Sequence, residues 1–244
     1  MEAPTRVECE AYNAALDFAP GTVALTWWYL PVQRAHLATM LSPAFPYRIA
    51  GMVHVENLLV AHAPLPAGPL RLSTRIDILP PSASGAVLCR LETSVSADGT
   101  PLLTCSSTYL AQRGTGGRRS AAALPQPGAE IGRWQLAASA GRDYARVSGD
   151  WNPIHLAGWS ARLMGLRAPI IHGMHTLGRA CALLQARAGR PVTALSVRFR
   201  APVALGSAVV LAEGAAPGEF MVLADGALAA EGHAAFAGNP GACR

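Results

Sequence analysis

Hydrophobic and polar positions change rhythm twice along this chain, and both times in the same direction. In the second half, "MHTLGRACALLQARA" carries apolar residues on several faces and stops at Gly189 and Pro191, which predicts a buried helix beginning near Gly173. The runs "TALSVRFRAPV", "SAVVLAEGA", "EFMVLADG" and "ALAAEGHAAFAG" follow it, separated by Gly and Pro, and read as successive strands. In the first half "LRLSTRIDILP", "SGAVLCRLETSVSADG" and "TPLLTCSSTYLAQR" have the same character. Strands that trail a buried helix predict an α+β unit whose antiparallel sheet covers that helix.

A faint internal repeat strengthens the two-unit reading. Pro31 and Pro153, and likewise Gly51 and Gly173, are 122 positions apart (173 − 51). "LSTR" from Leu72 and "LSVR" from Leu195 are offset by 195 − 72 = 123, and Pro80 and Pro202 by 202 − 80 = 122. Several matches in one register argue for a duplicated unit. The Gly-, Arg- and Ser-rich stretch between the halves has linker composition, and its "GTGG" lacks the Lys and Ser/Thr of a phosphate loop. The expected division is residues 1–113, a linker over 114–128, and residues 129–244.

Composition narrows the class. Half of the 244 residues are hydrophobic (51%) and the mean hydropathy is +0.25, yet Gly, Pro or a charge interrupts every apolar stretch before about 18 residues accumulate, so no membrane association is expected. "MEAPTRVECE" is acidic where a secretory leader would be basic, and the cytoplasm is the expected compartment. All 20 basic residues are Arg and, apart from the adjacent Arg118 and Arg119, they are dispersed singly, which gives no sign of a nucleic-acid surface. The cysteines Cys9, Cys89, Cys105, Cys181 and Cys243 show no CxxC spacing, so reduced thiols are expected and a zinc or disulfide framework is not.

Candidate chemistry is concentrated in "SGDWNPIH", residues 148–155. On a continuous helix Asp150 and His155 would point about 140° apart. Pro153 forbids a continuous helix there and pushes Asn152 toward extended backbone, so the acid and the imidazole can converge at a turn that the Asn152 amide can hold. Taken alone, the run reads equally as a helix cap beside a core histidine. The second ingredient is "HGMH". Gly173 opens the buried helix, and its N–H, at the positive end of the helix dipole, suits a developing enolate oxygen. Acid, base and oxyanion donor are the parts needed for proton chemistry next to a thioester carbonyl.

"YARVSGDWNPIHLAGWSA", from Tyr144 to Ala161, resembles the hydratase motif of MaoC-like dehydratases and R-specific enoyl-CoA hydratases, and the "HGM" placed 23 positions after Asp150 (173 − 150) is similar to that family's arrangement. The resemblance implies a double hotdog, two repeats each with a central helix wrapped by an antiparallel β-sheet. It implies reversible hydration of trans-2-enoyl thioesters, carried by CoA or acyl carrier protein, to (R)-3-hydroxyacyl thioesters in fatty acid metabolism. Asp150 and His155 would activate the water and the Gly173 N–H would polarise the carbonyl. Asn152, His172, Met174 and Trp28 would contribute to substrate binding, with no metal and no cofactor, in a monomer or homodimer. The 122 offset sets Trp28 opposite Asp150 and Gln33 opposite His155, so one active site per chain is expected. His36 and His54 are expected to be structural.

Two departures from the family stand out. Ala157, followed by Gly158, stands two places after His155 where many relatives carry an acidic residue, which should weaken the cap of the next helix, and Cys181 stands where some hydratases have a small hydroxyl. Three rivals are a metal site on His155, His172 and His175, lacking a carboxylate or thiol to complete it, a non-catalytic thioester-binding protein, and a hotdog thioesterase.

Overall fold

A computed structural model describes residues 1–64, 68–115 and 126–238, so most of the expected linker, and Cys243, lie outside the described residues. Two compact units result. One holds residues 1–3 and 28–115, the other residues 4–27 and 126–238. The early segment therefore does not follow the boundary expected at residue 113, for a tertiary reason. Helix α1 (Arg6–Leu16) starts at a capping box formed by Thr5 and Glu8, and buries Cys9, Tyr12, Asn13 and Leu16 on one stripe. That stripe packs against α3 (Ala140–Ser148) and α5 (Gly173–Ala188) of the second unit. It lands where α5 has no side chain: a Cβ on Gly178 would come within 2.7 Å of Leu16 Cδ1 and 3.3 Å of Tyr12 Oη.

In the first unit α2 (Tyr29–Met40) precedes four strands, β1 (Val53–Ala61), β2 (Arg71–Ile78), β3 (Val87–Ala97) and β4 (Thr100–Gln112). They pair antiparallel in the order β2-β3-β4-β1. Alternation along β3 buries Val87, Cys89, Leu91, Thr93 and Val95 on the face that carries α2. Met40 of α2, Leu91 and Tyr109 form a core cluster to which Phe45, Ile49, Met52 and Ile76 are added.

The second unit repeats the plan in a longer form. Its α5 is buried at nine of its positions, from Met174 to Leu184, as its all-round apolar pattern requires, and ends at Gly189 in the left-handed region (φ 63°). Strands β6 (Val192–Phe199), β7 (Ala208–Glu213), β8 (Glu219–Ala224) and β9 (Ala227–Phe236) follow, and with β5 (Glu130–Gln135) they pair in the order β5-β7-β8-β9-β6. By element order α2 corresponds to α5 and β1 to β6. The counterpart of β5 in the first unit is reduced to one bridge, Glu2 with Pro69, ahead of β2.

This correspondence corrects the 122-residue register. Gly51 lies in a turn before β1 with φ 91°, not at a helix start, and "LSTR" belongs to the second strand of its unit whereas "LSVR" belongs to the first. Trp28, the residue before α2, corresponds to His172, the residue before α5, rather than to Asp150. By the same element order α1 and the 3-10 turn Leu25–Trp28 stand ahead of α2 as α3 and the turn Pro153–His155 stand ahead of α5, and residues 4–28 contain no histidine, so this first-half counterpart holds no Asp/His pair.

Within the first unit a polar cluster replaces part of the apolar core. Tyr29 Oη and Tyr109 Oη are 3.1 Å apart, His36 packs edge-on against Tyr109, and His54 stacks on both tyrosines. Burial pushes His36 down to about 3 and His54 to about 4. His36 is fully buried and neutral in the folded chain but protonates near 6.5 when unfolded, so acid favours unfolding. Below pH 6.5 each such histidine should remove about 1.4 kcal/mol of stability per pH unit until its folded pKa is reached. Denaturant midpoints measured from pH 7 to pH 5 should fall steadily, and a flat profile would contradict neutral burial. No described helix is long and apolar enough to cross a membrane.

Candidate active site

The site is built on the exit of α3. That helix buries Gly141, Tyr144, Ala145 and Ser148 at helical spacing and stops at Gly149, which takes the left-handed conformation (φ 76°) and turns the chain back. Three local bonds then set the corner. Asp150 N–H donates to Ser148 Oγ (3.2 Å), Asn152 N–H to Asp150 Oδ1 (3.1 Å), and Ile154 N–H to Asn152 Oδ1 (3.3 Å). Pro153 opens a single 3-10 turn, Pro153–His155, for which the Asn152 side chain is the cap. Asn152, expected to touch substrate, is exposed and engaged in the turn itself.

The next helix, α4 (Gly158–Leu163), has Ala157 as its N-cap and no side-chain cap bond, in keeping with the missing acid. Ser160 compensates from inside. Its hydroxyl reaches the carbonyls of Pro153 (2.7 Å) and Ala157 (2.9 Å), tying α4 to the corner.

His155 and His172 are oriented by carbonyl groups from distant segments. His155 Nδ1 lies 2.8 Å from Ile170 O, and His172 Nε2 lies 2.9 Å from Asp150 O. A carbonyl only accepts, so each of these nitrogens carries the hydrogen, and His155 Nε2 and His172 Nδ1 keep lone pairs. The rings stack with centroids 3.6 Å apart. Both are buried, and burial lowers both pKa values; for His155 the Ile170 bond and Asp150 act against that shift, and for His172 the neighbouring His155 adds to it. Burial therefore keeps the His155 ring neutral to a lower pH than a free imidazole.

One oxygen of Asp150 and one nitrogen each of His155 and His172 lie within 4.8 Å of one another. The expected metal rival was His155, His172 and His175. Instead the carboxylate completes a set that excludes His175, which lies in the first turn of α5 and faces Tyr144 edge-on (centroids 5.5 Å). Burial pushes His175 down to about 3.

Gly173 is the first residue of α5, so its N–H has no acceptor within the helix. A Cβ there would stand 3.0 Å from the Phe199 ring, so glycine is what lets this helix end lie close to β6. Met174 is buried in α5, and Trp28 is buried at the start of α2 in the other unit. Tyr144 was not singled out from the sequence, although it opens the quoted motif. Its ring lies 4.9 Å from that of His172, and its hydroxyl is pushed well above the ordinary range by burial, then by Tyr12 and Asp150. The sequence carried no signal for the Ile170 carbonyl or for Tyr12.

The MaoC like domain model matches residues 129–214. Over 204 residues the chain is 31% identical to 3-hydroxyacyl-thioester dehydratase X of Mycobacterium tuberculosis, covering 80% of this chain and 71% of that protein. The chain belongs to the MaoC-like dehydratase family. It is also 31% identical over 177 residues to the peroxisomal multifunctional enzyme type 2 of Mus musculus, of which it spans 24%. The crystal structure of HtdX from Mycobacterium tuberculosis superposes with a TM-score of 0.77 at 26% identity, each chain covered to 96%. The two units of this MaoC-like protein are hotdogs, α+β with one antiparallel sheet and one main helix each.

Proposed function

We propose that this MaoC-like protein catalyses the reversible hydration of trans-2-enoyl thioesters to (R)-3-hydroxyacyl thioesters in the cytoplasm, with CoA or acyl carrier protein as the carrier. The observation that carries the reading is the convergence of an Asp150 carboxylate oxygen and one ring nitrogen each of His155 and His172 within 4.8 Å, in the unit whose α5 opens at Gly173. The names of relatives, a 3-hydroxyacyl-thioester dehydratase and an enoyl-CoA hydratase from Mycobacterium tuberculosis among them, support the same chemistry.

In this reading Asp150 and His155 hold one water between them. The lone pair of His155 Nε2 accepts a proton as the water oxygen bonds to C3. The electron pair displaced from the double bond moves to the thioester oxygen, where the Gly173 N–H receives it. The proton then returns at C2, so one water supplies both the hydroxyl and the new hydrogen, and dehydration is the reverse. Incubation of the full chain with crotonyl-CoA tests the proposal. Loss of enoyl absorbance without free thiol is the expected result. Release of CoA thiol would make the protein a thioesterase, and binding with neither change would make it a thioester-binding protein.

A further inference from the structure

We propose that the corner formed by Asp150, His155 and His172 is also a binding site for a zinc-type divalent cation, and that the ion blocks the site when bound. The claim of inhibition rests on the function proposed above; the claim of binding does not.

Three features point to a cation rather than to a mere cluster of polar groups. First, the donors are already gathered, one from each residue within 4.8 Å. Tetrahedral zinc holds nitrogen and oxygen donors at roughly 2.0–2.1 Å, hence about 3.4 Å from one another, so closure draws the donors together by at most about 1.4 Å. The two ring planes are inclined by 29° to one another.

Second, the tautomers are those of ligating histidines. Each ring gives its N–H to a backbone carbonyl, Ile170 O or Asp150 O, which is the outer bond that fixes metal-binding imidazoles and makes the other nitrogen more basic. His172 Nδ1 is buried, and among the described residues no hydrogen-bond donor meets it. A buried lone pair without a donor is satisfied by a cation as well as by a water. Third, the donor set selects the ion. Two neutral nitrogens and one carboxylate suit zinc and its neighbours, whereas magnesium and calcium require oxygen.

The bound ion would occupy the His155 Nε2 lone pair, which the proposed reaction needs for the proton of water, and would stand where the water stands. Inhibition should therefore be competitive with the enoyl thioester.

Metal-stripped full-length protein titrated with Zn²⁺ by calorimetry, and with Co²⁺ as an optical reporter of four-coordination, tests the site directly. One equivalent per chain is expected, with Asp150→Asn and His172→Gln each weakening binding at least about tenfold while circular dichroism shows both folded. Should His172→Gln fail to fold, Asp150→Asn alone decides. No binding by the wild-type chain up to about 100 µM, or unchanged binding by the variants, would overturn the site. On crotonyl-CoA, Zn²⁺ should raise KM without lowering kcat, reversibly with chelator; a fall in kcat at fixed KM would overturn the shared position. Zinc binding by a protein that does not hydrate crotonyl-CoA would leave the metal site standing and remove the hydratase, and the opposite pair of results would do the reverse.

Discussion

Replacing Asp150 with Asn should lower the hydration of crotonyl-CoA at least about a hundredfold, the lower end of what a lost general acid or base removes, while the melting temperature hardly moves. The separation of the two effects follows from the bonds at the corner. Asp150 Oδ1 accepts the Asn152 N–H at 3.1 Å, and the Asp150 backbone carbonyl accepts His172 Nε2 at 2.9 Å. An asparagine retains an oxygen for the first bond and an identical carbonyl for the second, so the turn survives and only the ionisable group is lost. His155→Ala should be as damaging to turnover but less selective. It empties a buried place, removes the stack on His172 and leaves the Ile170 carbonyl without its donor, so some loss of stability accompanies the loss of rate. Rates and thermal melts of the two variants side by side provide the check. An Asp150→Asn protein that melts far below the wild type would mean that the carboxylate belongs to the framework, and wild-type rates in it would remove Asp150 from the chemistry.

What could be read from the chain depended on the range of the forces concerned. The corner at residues 148–155 was legible because Pro153 and Asn152 act on their immediate neighbours, and the start and stop of α5 were legible because Gly173, Gly189 and Pro191 punctuate a single helix. Strands β6 to β9 were equally local. By contrast β1 went unread, since "VHVENLLVA" does not alternate cleanly and its pairing shifts between His54 and Glu56. The repeat register failed for a different reason: isolated glycines and prolines recur in any chain with turns, and the same spacing joined a turn glycine, Gly51, to a helix-opening one, Gly173. The attachment of α1 to the second unit and the carbonyls that set the His155 and His172 tautomers arise from contacts formed only on folding. A sequence states which histidine is present, not which nitrogen holds its proton.

A methyl group added at Gly141 should damage both stability and turnover, because α3 lies against the backbone of the site. An ideal Cβ on Gly141 would fall 2.0 Å from His155 O and 3.1 Å from His155 C, distances that no small side-chain movement can relieve. Either α3 withdraws or the Pro153–His155 turn shifts. Overpacking of this kind costs about 1–3 kcal/mol, and a displacement near 1 Å at a reacting group can cost about a hundredfold in rate. Gly158→Ala is the matched control on the same corner, as a Cβ there meets nothing within 4 Å and the residue begins α4. It should leave turnover unchanged and, by reducing the freedom of the unfolded chain, leave the melting temperature equal or slightly higher. Gly141→Ala should therefore lose rate and melting temperature together where Gly158→Ala loses neither. If Gly141→Ala keeps both, helix α3 does not hold the histidine in place, and the positioning of His155 must come from the Asn152-capped turn, the stack on His172 and the bond to Ile170.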